Sequence, residues 1–114
     1  MSEIVNPKQV KVYADREGYE PFTEWLYKLR DLQARQRILT RIGRIEQGNY
    51  GDYALVGEGV GELRFFFGPG YRVYFGEEND TIVILLNGGD KSSQGNDIAQ
   101  AKAYWKEYLS RERA

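Results

Sequence analysis

The chain has 114 residues, with 16 Lys+Arg against 17 Asp+Glu, no His and no Cys. That length suits one domain. The missing Cys and His exclude disulfides, thiol nucleophiles, Cys-based zinc sites and the Ser-His-Asp, Cys-His and His-Glu-x-x-His catalytic sets. A net charge of −1 argues against nucleic-acid binding through bulk charge, so any such contact falls to locally placed Arg and Lys.

Lys8 to Asp15 reads as a strand, with Val10, Val12 and Ala14 on one face and Lys11 and Tyr13 on the other. Arg16 to Glu20 is a polar turn. Pro21 then fits the first position of a helix, where its missing N–H has no partner to lose. Phe22, Trp25, Leu26 and Leu29 follow at helical spacing. Arg30-Asp31 joins a second helix, whose predicted core stripe is Leu32, Ile38, Leu39, Ile42 and Ile45. Arg30, Arg37, Arg41 and Arg44, spaced 7, 4 and 3 apart, share another face, and Gly48-Asn49 ends the helix. Residues 22–47 hold six basic and three acidic side chains. Tyr50 to Gly61, Gly-rich and acidic, reads as a loop.

Three predicted strands come next. Glu62 to Phe67 alternates Leu63, Phe65 and Phe67 with Glu62, Arg64 and Phe66, and Tyr71 to Phe75 alternates Tyr71, Val73 and Phe75 with Arg72 and Tyr74. A three-residue Gly68-Pro69-Gly70 hairpin loop pairs Phe66 with Arg72 and Arg64 with Tyr74. Thr81 to Leu86 is a continuous β-branched and Leu run, the pattern of a strand buried on both faces. Asn87 to Asn96 is polar. Asp97 to Ser110 is a last helix, with Ile98, Ala101, Trp105 and Tyr108/Leu109 on one side. The order β-α-α-β-β-β-α indicates an α+β single domain with a mainly antiparallel sheet packed by helices.

Chemistry has three candidate places. Arg64, Arg72, Phe66 and Tyr74 on one sheet face would offer forks for phosphate and rings for unpaired bases. The same pattern is also an ordinary solvated face of Arg–aromatic pairs. Gly88-Gly89-Asp90-Lys91-Ser92-Ser93, after the last strand, lets a ligand approach the backbone near Lys91, or is a turn capped by Ser93 or Asn96. The arginine stripe of the second helix is a solvated face, a landing strip for RNA backbone, or a surface for an acidic partner. No carboxylate pair, metal cluster or nucleophile–base pair is legible, and no cofactor or metal is expected.

Pro21-Phe22 with Trp25-Leu26, Arg41-Ile42, Gly48-Asn49-Tyr50-Gly51-Asp52, Gly59-Val60-Gly61-Glu62-Leu63-Arg64, Gly68-Pro69-Gly70-Tyr71-Arg72-Val73-Tyr74-Phe75 and Gly88-Gly89-Asp90-Lys91-Ser92-Ser93-Gln94 occur in this order. Together they resemble the HigB-like "addiction module killer" branch of the RelE/ParE toxin superfamily. The resemblance implies the small RelE/ParE-like fold and the toxin of a type II toxin–antitoxin module. It implies a ribosome-dependent mRNA endonuclease in which the ribose 2′-OH attacks the adjacent phosphate. On that reading Arg72 stabilises phosphate charge and Arg64 assists. Several HigB-type members use His at the site; this chain has none, so proton transfer falls to Lys91, Asp90 or Tyr104. Arg37, Arg41, Arg44, Phe66 and Tyr74 would contact RNA.

The implied partners are mRNA on the ribosome and a helix-turn-helix antitoxin covering the sheet face or the arginine stripe. The alternatives are a ParE-like poison of DNA gyrase acting by binding, and a degenerate, non-toxic binding module. Met1 to Gln9 has no apolar leader segment, and the longest apolar run, Ile82 to Leu86, is far below the ~20 residues of a membrane span. The expected location is therefore the cytoplasm, with no membrane partner.

Overall fold

A computed structural model of the chain describes residues 7–112; most of the leader reading, which concerns Met1 to Gln9, lies outside them. The elements are β1 (Gln9–Val12), α1 (Pro21–Lys28), α2 (Leu32–Glu46), β2 (Tyr53–Gly57), β3 (Val60–Arg64), β4 (Arg72–Glu78) and β5 (Ile82–Gly89). A short 3-10 turn, Lys91–Ser93, leads into α3 (Gln94–Glu112). Pro21 opens α1, and the Asp31 carboxylate caps α2 by accepting the Gln33 and Ala34 N–H groups at 3.0 and 3.1 Å.

The strands form one five-stranded sheet in the order β1-β5-β4-β3-β2. β1 runs parallel to β5, and the other neighbouring strands pair antiparallel. Helices lie on both faces of this mixed α and β domain. On one face Phe22, Leu26, Ala34, Ile38, Ile42 and Ile45 pack on Leu63, Val73, Phe75, Val83 and Leu85. On the other, Ala101 and Trp105 of α3 pack on Val60, Tyr74, Ile84 and Leu86. Gly88 and Gly76 seat the Trp25 and Trp105 rings: a Cβ at either would lie 2.3 Å from ring carbon.

Several sequence expectations are corrected. The Tyr50–Gly61 stretch is not all loop, because Tyr53–Gly57 pairs with β3 as an edge strand. Its unpaired edge and exposed Tyr53 and Leu55 hide the apolar alternation that marks a half-buried strand. In α2 the buried stripe is Ala34, Ile38, Ile42 and Ile45, while Leu32 and Leu39 are exposed. Those four follow a single 4-4-3 ridge, from which Leu39 is turned by about 100°.

The β3–β4 hairpin is also wider than predicted. β3 stops at Arg64, the Phe65 N–H donates to Tyr71 O at 3.1 Å, and the Gly70 N–H donates to Phe67 O at 3.2 Å. Register therefore moves by two residues: Arg64 faces Arg72, Leu63 faces Val73 and Glu62 faces Tyr74. Parity is kept, so Arg64 and Arg72 still share a face. The Thr81–Leu86 run is an interior strand as its composition predicts, extended to Gly89, and α3 begins three residues early at Gln94.

Candidate functional site

The hairpin register sets Arg64 directly opposite Arg72, and Arg72 opposite Gly89, at one end of the sheet. Glu62 stands on the same face, one pleat further in, opposite Tyr74. Its side chain has no exposure, against 11% for Arg72 and 39% for Arg64. Glu62 Oε1 accepts from Arg64 Nε at 3.0 Å and lies 3.8 Å from Arg72 Nε. Glu62 Oε2 accepts from Tyr74 OH at 3.0 Å and from Gln94 Nε2, in the first turn of α3, at 2.8 Å. Burial alone raises the Glu62 pKa; the bonds from Gln94, Arg64 and Tyr74 and the Arg72 charge reverse this and hold it below the ordinary glutamate value.

Arg72 Nη1 donates to Gly70 O at 3.1 Å and to Tyr71 O at 3.2 Å. Among the described residues its buried Nε has no hydrogen-bond partner. The third cation comes from the turn after β5. Gly70, at φ +77, lies under Lys91: a Cβ there would sit 3.3 Å from Lys91 Cβ and 3.5 Å from Arg72 Nη1. Only glycine combines that backbone conformation with that clearance. Arg64, Arg72 and Lys91 thus come together at one end of the sheet, the two guanidinium groups above a buried carboxylate, as a rim of cations.

The other predicted site residues are placed differently. Asp90 adjoins Lys91, but its carboxylate caps the 3-10 turn, accepting from the Ser92 N–H at 2.8 Å and from the Ser92 hydroxyl at 2.5 Å. Those bonds, the hydroxyl foremost, pull its pKa down. Tyr104 is away from the rim, ten residues (about 15 Å) along α3 from Gln94. Its ring lies 5.1 Å from that of Tyr13, and burial raises its pKa. Tyr74 is completely buried, so the expectation that it stacks on RNA is corrected: α3 packs on the sheet face that carries its ring. Phe66 is 80% exposed, beyond the end of β3.

A groove of about 340 Å³ runs beside the rim between α2 and residues 65–67, lined by Arg37, Arg41, Arg44, Arg64 and the three Phe rings. Arg64 is common to rim and groove. Arg37 and Arg44 are exposed, and the Arg37 guanidinium lies over the Phe67 ring at 4.9 Å. Arg41 is employed otherwise. Its guanidinium donates to the carbonyls of Tyr50, Asp52 and Arg64, clasping the β2 and β3 ends onto α2. Burial pulls its pKa down, against the opposing Asp52 charge. Arg41 therefore has a structural role at the wall of the groove.

Sequence reasoning missed Glu62 and Gln94. For Glu62 a signal existed, since the alternation put a carboxylate on the face of Arg64; Gln94, across a sheet–helix packing, left none. Among the described residues no group of His, Cys, Asp and Glu is placed to hold a metal, and no helix is long and apolar enough to cross a membrane. Compared with known proteins, the chain is 52% identical over 81 residues to an uncharacterised protein of Haemophilus influenzae, a match covering 71% of this chain and 82% of that protein. No family model matches the chain.

Proposed function

The chain belongs to the family of that Haemophilus influenzae protein; on the resemblance of its motifs and the geometry of its rim, we propose that it is the toxin of a type II toxin–antitoxin module, of the RelE/ParE-like fold, cutting mRNA on the ribosome. The observation that carries the reading is the register that sets Arg64 opposite Arg72 where Lys91 covers Gly70. In the reaction the 2′-oxygen forms a bond to the adjacent phosphorus and gives up its proton. The bond from phosphorus to the 5′-oxygen breaks, and that oxygen takes a proton, leaving a 2′,3′-cyclic phosphate and a 5′-OH.

Arg72 and Arg64 supply donors for the negative charge that builds on the phosphorane, the contribution that rises most in the transition state. Lys91 gives a proton to the leaving oxygen. Asp90, beside it in the chain, takes the 2′ proton; its lowered pKa makes it a weak base, so charge stabilisation carries the larger share. The groove along α2, with Arg37, Arg44 and the exposed Phe66, extends from Arg64 and suits a single strand that is anionic outside and stacks through its bases. An antitoxin that covers rim or groove would silence the enzyme.

The test is inducible expression with mapping of mRNA 5′ ends. New 5′-OH ends within coding regions are expected, and their loss in Arg72→Ala together with loss of growth arrest. Growth arrest that persists in Arg72→Ala with intact mRNA overturns the reading. Linear, protein-bound DNA under those conditions would assign the target to gyrase instead.

A further inference from the structure

Beneath the rim's arginines lies a carboxylate that touches no solvent. We infer that Glu62 is the positioning residue of the rim, its pinned carboxylate setting Arg64 and Arg72 side by side for an anionic phosphate. This rests on the reading of that rim as a phosphate site. Two guanidinium groups directly opposite on one sheet face repel each other and would splay apart. The Glu62 carboxylate meets both at the Nε position, at 3.0 Å and 3.8 Å. That contact leaves the terminal nitrogens of Arg64 for a ligand and offsets the repulsion.

The carboxylate itself cannot follow the arginines. Its second oxygen is held by Tyr74 OH from β4 and by Gln94 Nε2 from α3. Glu62 is thereby fixed against two elements; Arg64 is held to it by a hydrogen bond, and Arg72, anchored on the Gly70 and Tyr71 carbonyls, by charge. Exposure grades outward from none at Glu62 to 39% at Arg64, with the charged heads nearest solvent last in the series. A buried ion cluster is a poor source of stability, because desolvation offsets the attraction, so its retention under a cationic rim points to placement. Arg72 Nε, buried without a hydrogen bond, lies 3.8 Å from the same carboxylate, within ion-pair reach.

The experiment uses the full chain and inorganic phosphate, followed through the arginine Nε–H resonances and, separately, through RNA cleavage. In the unaltered protein the Arg64 Nε–H is protected from exchange and responds to phosphate. Glu62→Gln presents an amide donor or a weaker acceptor to Arg64, so protection is lost and phosphate affinity falls about tenfold, the scale of one charge-assisted hydrogen bond. In an Arg64→Ala, Arg72→Ala background the same change has no further effect on phosphate binding. A folded Glu62→Gln with unchanged Arg64 protection and affinity overturns the proposal. Should Glu62→Gln fail to fold, Gln94→Met removes one of the two bonds that hold the second carboxylate oxygen and leaves that from Tyr74, and a loss of about threefold in affinity is expected; no loss overturns it. Phosphate binding that obeys these rules without any RNA cleavage would sink the nuclease reading and leave the positioning role standing.

Discussion

The two ends of the sheet carry opposite charge and hold it by opposite means. At one end stand Arg64, Arg72 and Lys91, with Arg37 beside Phe67. At the other, where β4 ends and β5 begins, are Glu77, Glu78 and Asp80, with Glu112 of α3 lining the same hollow as Glu77 and Glu78. The acidic end is closed on itself: Lys8 pairs with Glu77 at 3.5 Å, Tyr50 OH donates to Glu77, and Tyr108 OH reaches Glu78 at 3.4 Å. At the basic end the one carboxylate that pairs with the arginines is buried beneath them, and the outer donors face solvent. The net charge of −1 is therefore an average over a basic end and an acidic end, and the basic end is the one that favours anions.

The sharpest way to break this contrast is to neutralise each end in turn and measure binding of a short single-stranded RNA by anisotropy. Arg64→Ala with Arg72→Ala should weaken binding about 10³-fold and reduce the salt slope by about 1.4. Asp80→Asn with Glu112→Gln should change affinity by less than about twofold. Equal effects at both ends would dissolve the distinction.

A second measurement separates arginines that serve the ligand from one that serves the fold. Arg41→Ala strands three backbone carbonyls and should cost about 3 kcal/mol in denaturant unfolding. Arg37→Ala and Arg44→Ala should stay within about 0.5 kcal/mol while lowering RNA affinity. Arg41→Lys should recover little of the loss, because a point charge does not span three carbonyls.

Acid pH tests the buried carboxylate. Glu62 is held below its ordinary pKa, so as pH falls the unfolded chain binds the proton first. Its stabilisation is full above the ordinary glutamate range and is lost as pH drops through the folded value. Glu62→Gln should be less stable at neutral pH, with a flatter acid limb in a series of melting temperatures against pH. An acid limb unchanged by the substitution would remove Glu62 from the account.

The smallest effect belongs to the acidic end. Burial, then the nearby Glu78 charge, pushes Tyr108 up to about 12. That stabilisation is present below the unfolded tyrosine value and is lost as pH rises through the folded one. Tyr108→Phe removes only a long 3.4 Å bond, and should shift neutral stability by less than about 0.5 kcal/mol while softening the alkaline limb.

Much of this was legible in the linear chain for physical reasons that can be named. Pro21, Gly48-Asn49 and the Ile82–Leu86 run announce α1, the end of α2 and an interior strand through local geometry and solvation alone. Side-chain parity likewise put Arg64 and Arg72 on one face, because a two-residue slip in register preserves it. The slip itself was not legible: the hairpin's closing bonds use Phe65, Phe67, Gly70 and Tyr71, so β3 ends before its apolar alternation does. β2 was hidden because an edge strand exposes Tyr53 and Leu55.

By itself, then, the sequence determined the chemistry on offer: a chain without His or Cys, whose cations are placed by strand alternation and a Gly-Gly-Asp-Lys turn. Only the tertiary structure decided which of those cations are free. Arg41 satisfies backbone carbonyls from three positions, Tyr74 is covered by α3, Tyr104 sits beside Tyr13, and Glu62 joins β3, β4 and α3 beneath the rim. Each of those assignments depends on contacts between segments distant in the chain. Residue spacing encodes which face a side chain takes, whereas its partners are set by how sheet and helices pack.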